Sequence, residues 1–289
     1  MASEAAEFCL PTSEALGDVK RLRQIGQLLA VSLPPLRNGT HHPLSRPLIV
    51  SLTSYPARFG TLHLTLRSLL NQDVKPDCTV LWIAHTDHCL LPRSVLALQE
   101  AGVTIRVCDD LRSYKKIVPL LSRAPDAYIV TADDDTYYPR AWLRRFIENF
   151  RNAREILCQR ARRIALENGG FAPYKTWETI KKAAEGPHVF PTGIGGVFYP
   201  PGALGPDTLR SDRFLELCPT SDDVWLYWMA KAAGSSHRMI EPTGKFTPWP
   251  TSQRSGLWRQ NITENQNDRQ IRRMLKHYGM PQEKSLRRI

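Results

Sequence analysis

The sequence predicts a mixed α/β protein with a mostly parallel central sheet and flanking helices. Short apolar segments alternate with helical patterns along the middle of the chain, as is typical of β-α-β units. Each apolar segment is continuous, as expected for parallel strands that are buried on both faces. The four predicted strands lie at residues 48–53, 79–84, 104–107 and 127–132.

Helices are predicted beside these strands at residues 62–70, 93–101, 114–121 and 140–151. Leucines at helical spacing predict the first of them, and Pro92 precedes the second. After residue 156 the alternation ends. That part is predicted to hold a strand at 156–164, an irregular, mobile stretch at 168–187, a glycine-containing segment with a strand at 189–200, and a helix at 222–233.

The chain is predicted to have three regions. Residues 1–46 form an extension with an amphipathic helix at 12–32, followed by a linker. The α/β domain covers residues 47–268, divided at about residue 135 into a first and an acceptor-side half. Residues 269–289 form a tail with seven basic residues and one acidic residue.

The composition is that of a globular protein: 289 residues, 42% hydrophobic and 23% charged. No apolar run approaches the roughly 18–20 residues that span a bilayer, and the acidic N-terminus does not resemble a secretory signal. We therefore expect a cytoplasmic protein. Its six cysteines form no CxxC pair, which favours buried, reduced thiols over a disulfide framework.

The formal net charge is +11. Part of this charge lies in the basic tail, which could contact an anionic membrane, nucleic acid or an acidic substrate. A solvated helix face explains the same residues equally well.

Three consecutive carboxylates, Asp133, Asp134 and Asp135, directly follow the fourth strand. In open α/β sheets the ligand crevice lies at the carboxyl ends of the strands, and adjacent carboxylates repel one another unless a cation neutralises them. Mg²⁺ and Mn²⁺ prefer such oxygen ligands. In an extended segment Asp133 and Asp135 point the same way. The triplet predicts a metal and diphosphate site; an acidic helix cap is the alternative.

Two further segments reach the same edge of the sheet. Asp109 and Asp110 follow the third strand and could bond a nucleobase or ribose, while Lys115 and Lys116 could bind a diphosphate. A helix cap with solvated lysines is the alternative. The loop after the first strand offers two hydroxyls, an aromatic ring and a guanidinium, from Thr53, Ser54, Tyr55 and Arg58.

The glycines of residues 193–196 precede a strand and match neither a dinucleotide fingerprint nor a phosphate-binding P-loop. They predict close approach of the backbone to a ligand, or a simple turn. Asp222 and Asp223 begin a helix after Thr220 and Ser221, either of which could be the N-cap. One of these acids could remove a proton from a hydroxyl, or both could merely favour the first helical turn.

Six segments together resemble bacterial glycosyltransferases of the nucleotide-diphospho-sugar transferase (GT-A) fold. They are VSLTSYPARFGTLHLTLRSLLNQ, TVLWIA, DLRSYKKIVPLL, IVTADDDTYYP, PTGIGGVFYPPGAL and TSDDVWLYWMA. The resemblance covers residues 47–275 and is greatest to transferases of capsule, lipopolysaccharide or cell-surface polysaccharide synthesis.

This resemblance implies a role for each candidate residue. The family's DXD motif implies that Asp135, with Asp133, holds Mn²⁺ or Mg²⁺ across the donor diphosphate, and that Asp222 or Asp223 is catalytic on the acceptor side. A third metal ligand in such enzymes is a late histidine, for which His237 and His277 are the candidates here. The implied nucleotide-sugar contacts are Thr53, Ser54, Tyr55, Arg58, Asp109, Lys115, Lys116, Asp133, Asp134, Gly195 and Gly196.

The expected activity is metal-dependent transfer of a sugar, from a UDP-sugar in preference to others, to a glycan or lipid-linked glycan. Residues 168–187 would close over the donor, and the basic tail would bring the enzyme to the inner face of the cell membrane. Both inverting and retaining mechanisms are open.

Two other classes compete with this interpretation. A nucleotidyltransferase could use a related fold, but a glycine-rich basic loop would follow its first strand, where this chain has SYPARFG. A non-enzymatic nucleic-acid-binding or membrane-binding protein would explain the charge of +11. It would not explain carboxylates at three strand or helix ends, so we expect no nucleic-acid partner.

Overall fold

The computed structural model describes residues 36–249 and 265–281, together with the single residue Gly26. The chain divides into two compact units, residues 1–35 and 36–289. The second unit contains all of the described residues except Gly26. Apart from Gly26, the predicted helix at 12–32 lies outside the described residues, as do residues 282–289 of the basic tail.

The unit contains fifteen strands and seven α-helices within its described residues. The strands are β1 Thr40–His41, β2 Leu48–Thr53, β3 Val74–Lys75, β4 Cys78–Ala84, β5 Val103–Cys108, β6 Tyr128–Ala132, β7 Glu155–Cys158, β8 Ala161–Arg163, β9 Leu166–Glu167, β10 Gly170–Phe171, β11 Glu178–Thr179, β12 Ala184–Glu185, β13 Val189–Pro191, β14 Val197–Tyr199 and β15 Ser236–Met239. The helices are α1 Phe59–Leu70, α2 Arg93–Leu96, α3 Val118–Arg123, α4 Trp142–Asn149, α5 Ser211–Leu217, α6 Asp222–Ala232 and α7 Gln266–Tyr278.

Eight strands form the central sheet, in the order β12-β15-β7-β14-β6-β2-β4-β5. The four predicted strands, β2, β4, β5 and β6, are all parallel neighbours. Every residue of β6 is buried, which explains its continuously apolar sequence. The predicted α/β class with a mostly parallel sheet is confirmed.

The second half of the unit continues the same sheet with mixed strand directions. β14 is antiparallel to both β6 and β7, and β15 is parallel to β7. The strand predicted at 156–164 is two strands, β7 and β8, because the chain leaves the central sheet at Gln159 and Arg160 and continues in a second sheet of β11, β8 and β13.

Two predicted irregular segments are more ordered than expected. Residues 168–187 contain three short strands, β10, β11 and β12, and their Tyr174 and Trp177 are buried. The predicted linker also contributes structure, since β1 pairs in parallel with β3. Strands of two residues carry too little periodicity to be recognised in a sequence.

The two faces of the sheet support separate hydrophobic cores, because successive strand residues point to opposite sides. Val50 and Leu52 of β2 pack with residues of α1 and α4 on one face. Trp82 of β4 and Ile129 of β6 pack with residues of α6 and α7 on the other. Among the described helices, none is both long and apolar enough to span a membrane.

Candidate functional site

A cleft of about 670 Å³ opens at the carboxyl ends of the parallel strands. This is the position that the topology of an α/β sheet favours for ligands. The predicted site residues that line it are Thr53, Ser54, Tyr55, Arg58, Lys115, Lys116, Asp133, Asp134, Asp135, Asp222 and Asp223. The fold therefore brings together segments that are far apart in sequence.

Arg58 links the loop after β2 to the acidic triplet. Its Nη1 lies 2.9 Å from an oxygen of Asp134 and 2.5 Å from an oxygen of Asp135. Ser54 donates a hydrogen bond to the other Asp134 oxygen. Both oxygens of Asp134 are thus engaged, so this residue holds the loop in place. Asp134 and Asp135 therefore share Arg58 as a partner. The sequence did not indicate this, because neighbouring residues of an extended segment were expected to point to opposite sides.

Lys116 joins the triplet to the second acidic pair. Its ammonium lies 3.3 Å from Asp133 and 3.0 Å from Asp222. Lys116 is buried, and the neighbouring carboxylates outweigh the desolvation that burial imposes, so its pKa is raised well above the ordinary value. The lysine therefore stays charged and keeps both acidic groups close together.

Asp223 presents its carboxylate to the cleft beside Gly193. The Gly193 N–H donates to Asp223 Oδ2 at 3.2 Å. Desolvation and, after it, the charge of Asp222 raise the pKa of Asp223 to about 7. A carboxyl group with a pKa near neutrality can both accept and release a proton under physiological conditions.

Desolvation also raises the pKa of Asp135 to about 7, against the opposing effect of Arg58. The charge of Arg58 therefore offsets only part of the cost of burying Asp135 in its ionised form.

Lys115 pairs with Asp110 at 2.6 Å, and the lysine's hydrogen bond is the main reason that the Asp110 pKa is lowered. Asp110 lines the cleft, whereas Asp109, the predicted residue, does not. Both residues are exposed, but only Asp110 borders the cleft, where it pairs with Lys115.

Gly195 and Gly196 do not line the cleft either; Gly193 and Ile194 do. A Cβ on Gly195 would lie 2.7 Å from the Phe246 ring, and one on Gly196 would lie 2.6 Å from the Trp142 ring. Both residues have φ near +88°, a conformation that favours glycine. Their role is to allow close packing against aromatic rings, and the expectation of a donor-sugar contact is corrected accordingly.

The cleft is chemically suited to a divalent cation. Asp133 and Asp135 supply hard oxygen ligands, and a side chain at Gly193 would approach Asp133 Oδ1 to 3.4 Å, so glycine leaves space beside that oxygen. Neither histidine considered as a further ligand lines the cleft. His237 is buried and stacks on Tyr227, and His277 is exposed on α7.

Within the described residues, one group of three potential ligand side chains has its atoms within 4.8 Å of one another: His41, His42 and Asp77. It lies outside the cleft. His42 Nδ1 accepts from the Leu44 N–H, and its Nε2 lies 2.7 Å from Asp77, so hydrogen bonds account for this group.

Several cleft residues were not predicted from the sequence. They are Arg160, Arg162, Tyr174, Thr192 and Asn267, all from the acceptor-side half and α7. Arg160, Arg162, Tyr174 and Thr192 lie on short strands, turns and loops, and Asn267 lies in the first turn of α7, so no sequence motif assigned them to the site. Only the position of two arginines beside an apolar strand could have drawn attention to this segment.

The start of α7 positions two segments that border the cleft. Gln270 accepts from the backbone N–H groups of Thr220 and Ser221, directly before Asp222, and Asp268 accepts from the Tyr174 N–H at 2.7 Å. Ser221 is the N-cap of α6 as predicted, but its side chain makes no capping bond. The glutamine of α7 binds these N–H groups instead.

Comparisons with known proteins do not assign this chain to a family. No protein-family model and no curated protein matches the chain. Among solved structures, the inositol-1-phosphate CTP transferase from T. maritima is 10% identical with a TM-score of 0.37, and the similarity covers 78% of this chain and 96% of that one. A CMP:2-keto-3-deoxy-manno-octonic acid synthetase complexed with CTP is 12% identical, also with a TM-score of 0.37, over 78% of this chain and 100% of that one. The function is therefore inferred from the cleft.

Proposed function

We propose that this protein is a metal-dependent glycosyltransferase that moves a sugar from a nucleotide-diphospho-sugar to a glycan or lipid-linked glycan. The observation that supports it is the meeting, in one cleft, of the strand-end acidic triplet and the half-buried Asp223. The triplet side suits a charged diphosphate, and Asp223 suits an acceptor hydroxyl. Lys116 holds the two sides together through Asp133 and Asp222.

On the donor side, Asp133 and Asp135 would hold Mn²⁺ or Mg²⁺. When bound, such an ion neutralises negative charge on the leaving nucleoside diphosphate. Lys115 and Lys116 add positive charge at the same edge of the sheet. Tyr55 offers a ring for stacking on the base, and Asp110 offers acceptor oxygens for a ribose hydroxyl or a base N–H.

On the acceptor side, Asp223 would take the proton of the attacking hydroxyl. In an inverting reaction the acceptor oxygen forms its bond to the anomeric carbon as the bond from that carbon to the diphosphate breaks. The proton passes to Asp223. In a retaining reaction the same carboxylate would stabilise positive charge on the sugar. The anomeric configuration of the product, read by NMR, distinguishes the two.

Nucleotidyl transfer is the competing reaction, because a metal, phosphates and carboxylates serve it as well. There the attack falls on phosphorus and pyrophosphate leaves. The loop after β2 argues against it, since its single basic side chain, Arg58, is engaged by Asp134 and Asp135. The leaving group therefore tells the two reactions apart.

The test combines binding with product analysis. UDP, GDP, CDP, their sugars and the nucleoside triphosphates are screened by thermal shift with and without Mn²⁺, and turnover is followed as released nucleoside diphosphate or pyrophosphate. Stabilisation by one nucleotide sugar that needs Mn²⁺ and is lost in Asp135→Asn is expected, with Asp109→Asn as the matched control outside the cleft. Release of pyrophosphate would establish nucleotidyl transfer instead, and no shift with any nucleotide would overturn both.

Contact with an anionic membrane would place the enzyme near a lipid-linked acceptor. The part of the basic tail that lies on α7 exposes Arg269, Arg272, Arg273 and Lys276 to solvent, while Ile271 and Met274 anchor the helix. We expect flotation with vesicles of anionic lipid that Arg272→Glu combined with Lys276→Glu abolishes. Equal flotation of this double variant would contradict the membrane contact without affecting the proposed reaction.

A further inference from the structure

The acceptor-side wall of the cleft carries positive charge that no carboxylate neutralises. Arg160 and Arg162 both line the cleft, and within residues 36–249 and 265–281 neither makes an ion pair. Their other cleft-lining neighbours are Tyr174, Thr192 and Asn267. Of the other described basic residues that line the cleft, Arg58, Lys115 and Lys116 each contact a carboxylate, and Arg112 donates to the Pro219 carbonyl.

Neutral groups hold the two guanidinium groups in place. Arg160 Nη1 donates to Thr192 Oγ1 at 2.9 Å. Arg162 Nη1 donates to the Trp177 carbonyl at 2.8 Å, and its guanidinium lies 5.0 Å from the centre of the Tyr174 ring. Desolvation lowers the pKa of Arg160. This is the expected direction for a partly buried cation whose neighbours do not fully offset the loss of water around its charge. A guanidinium has five N–H donors, so donors remain for a ligand on both side chains.

These arginines are close to the proposed catalytic carboxylate along a short chain of contacts. Arg160 bonds Thr192, Thr192 precedes Gly193, and the Gly193 N–H bonds Asp223. An anion bound by Arg160 would therefore belong to the molecule whose hydroxyl faces Asp223.

Asn267 provides an independent sign of a ligand. Its side chain is only 5% exposed, it lines the cleft, and its Oδ1 has no hydrogen-bond partner in the part of the chain that the structure describes. A buried amide oxygen without a partner is costly. A hydroxyl group of a bound sugar would satisfy it.

Resting on the proposed function, we propose that the acceptor is an acidic sugar. Its carboxylate or phosphate binds Arg160 and Arg162, and one of its hydroxyls donates to Asn267. A guanidinium pair is well suited to either anion, because its N–H groups match the oxygen spacing of both. The Thr192 hydroxyl, the Trp177 carbonyl and the Tyr174 ring orient the two arginines. Because these groups are uncharged, they do not replace the anion as a partner.

The experiment measures the binding of matched methyl glycosides by titration calorimetry in the presence of Mn²⁺, with and without a nucleoside diphosphate. The probes are methyl glucuronide, methyl glucoside 6-phosphate and neutral methyl glucoside. We expect at least one acidic probe to bind about tenfold or more tightly than the neutral one. The preferred probe distinguishes a carboxylate from a phosphate as the anion.

Arg160→Gln and Arg162→Gln are each expected to remove this preference, while Arg163→Gln keeps it, since Arg163 is exposed on the same strand and outside the cleft. Asn267→Ala is expected to weaken acidic and neutral probes alike. Equal binding of acidic and neutral probes to the wild-type protein would overturn the inference.

Nucleotide binding, followed in parallel by thermal shift, reports on the proposed function separately. If Arg160→Gln loses nucleotide binding as well as the preference for acidic probes, these arginines bind the donor and the acidic-acceptor assignment is wrong. If the acidic probes bind but no nucleotide does, the anion site stands and glycosyl transfer fails.

Discussion

At the scale of single residues, Gly193 lies where Lys116, Asp133 and Asp223 approach one another in the cleft. A Cβ built there would lie 3.2 Å from Lys116 Nζ, 3.4 Å from Asp133 Oδ1 and 3.5 Å from Asp223 Oδ1. These three groups belong to the donor side, the acidic triplet and the acceptor side of the proposed reaction. A single methyl group at this position would therefore touch every part of the proposed machinery.

We expect Gly193→Ala to lower activity about tenfold or more, because small displacements of reacting groups have large effects on rate. Its unfolding free energy should change by about 1 kcal/mol or less, since no positive φ has to be kept there. Turnover and thermal denaturation check the two statements. Gly60→Ala is the control, because nothing lies within 4 Å of a Cβ on that helical glycine. An active Gly193→Ala enzyme would place the reacting groups elsewhere.

Asp223 should give the reaction its pH dependence. A general base works in its ionised form, so activity should fall as the pH drops below the Asp223 pKa of about 7. We expect Asp223→Asn to reduce the rate by about 10²–10⁴ and to remove this acidic limb from its residual activity. The pH profile of turnover, measured at saturating donor, is the test. An unchanged acidic limb in the variant would assign the titration to another group.

At the scale of elements, α7 completes a site that is otherwise built by the sheet and its loops. Gln270 is fully buried, and its side-chain oxygen receives two backbone N–H groups at the start of α6. Its amide nitrogen also donates to Thr220 Oγ1 at 3.0 Å. The direction in which Asp222 and Asp223 leave the backbone thus depends on a residue about fifty positions later in the chain.

Replacing Gln270 by Ala should leave two buried N–H groups without a partner and destabilise the fold by about 2–4 kcal/mol. The rate should fall more than nucleotide binding, because the displaced groups lie on the acceptor side. Denaturant titration together with the rate and the nucleotide affinity checks both effects. Arg269→Ala, an exposed position on the same helix, should show neither change. Equal loss of nucleotide affinity and rate would mean that the whole cleft had collapsed.

The strand-end residues of the site were predictable because they lie where a continuous apolar strand of the sheet ends. Thr53 is the last residue of β2 and Asp133 directly follows β6, and both line the cleft. Gln270 and Asn267 could not be recognised, since their roles arise only where α7 packs against loops from other parts of the chain. Gly195 and Gly196 were predicted to contact the donor sugar, but they pack against aromatic rings. Both situations bring other atoms close to the backbone and so both require glycine.

At the scale of the whole molecule, several ionisable groups are buried in the sheet and its cleft. His237 of β15 is 2% exposed, its ring stacks on Tyr227 at 5.0 Å, and burial lowers its pKa well below the ordinary value. Asp135 and Asp223 are shifted in the opposite sense, to pKa values of about 7. His237, on the one hand, and Asp135 and Asp223, on the other, therefore change the free energy of unfolding in opposite directions as the pH changes.

The histidine stays neutral in the fold, whereas in the unfolded chain it takes up a proton below about pH 6.5. Stability from His237 is therefore complete above that pH and is lost as the pH falls, by about 1.4 kcal/mol between pH 7.5 and 5.5. The two carboxyl groups act the other way, because their ionised forms are disfavoured in the fold and protonation relieves this as the pH falls through about 7.

The difference between wild type and His237→Phe isolates the histidine, since phenylalanine retains a ring for Tyr227. Unfolding free energies from denaturant titration at the two pH values should show the wild type losing about 1.4 kcal/mol relative to the variant. Parallel pH dependence in both proteins would mean that His237 takes up its proton equally well in the folded and the unfolded chain.

The hydrogen bonds that assemble the cleft join very distant positions: 80 residues separate Ser54 from Asp134, 50 separate Thr220 from Gln270, and 94 separate Tyr174 from Asp268. Contacts of such separation form late during folding, because closing each long loop costs entropy before the contact stabilises anything. On dilution from denaturant, far-ultraviolet circular dichroism should therefore recover before turnover does. Compact but inactive chains would accumulate between these two events. Molecules that bind exposed apolar surface would therefore bind the refolding chain during that interval.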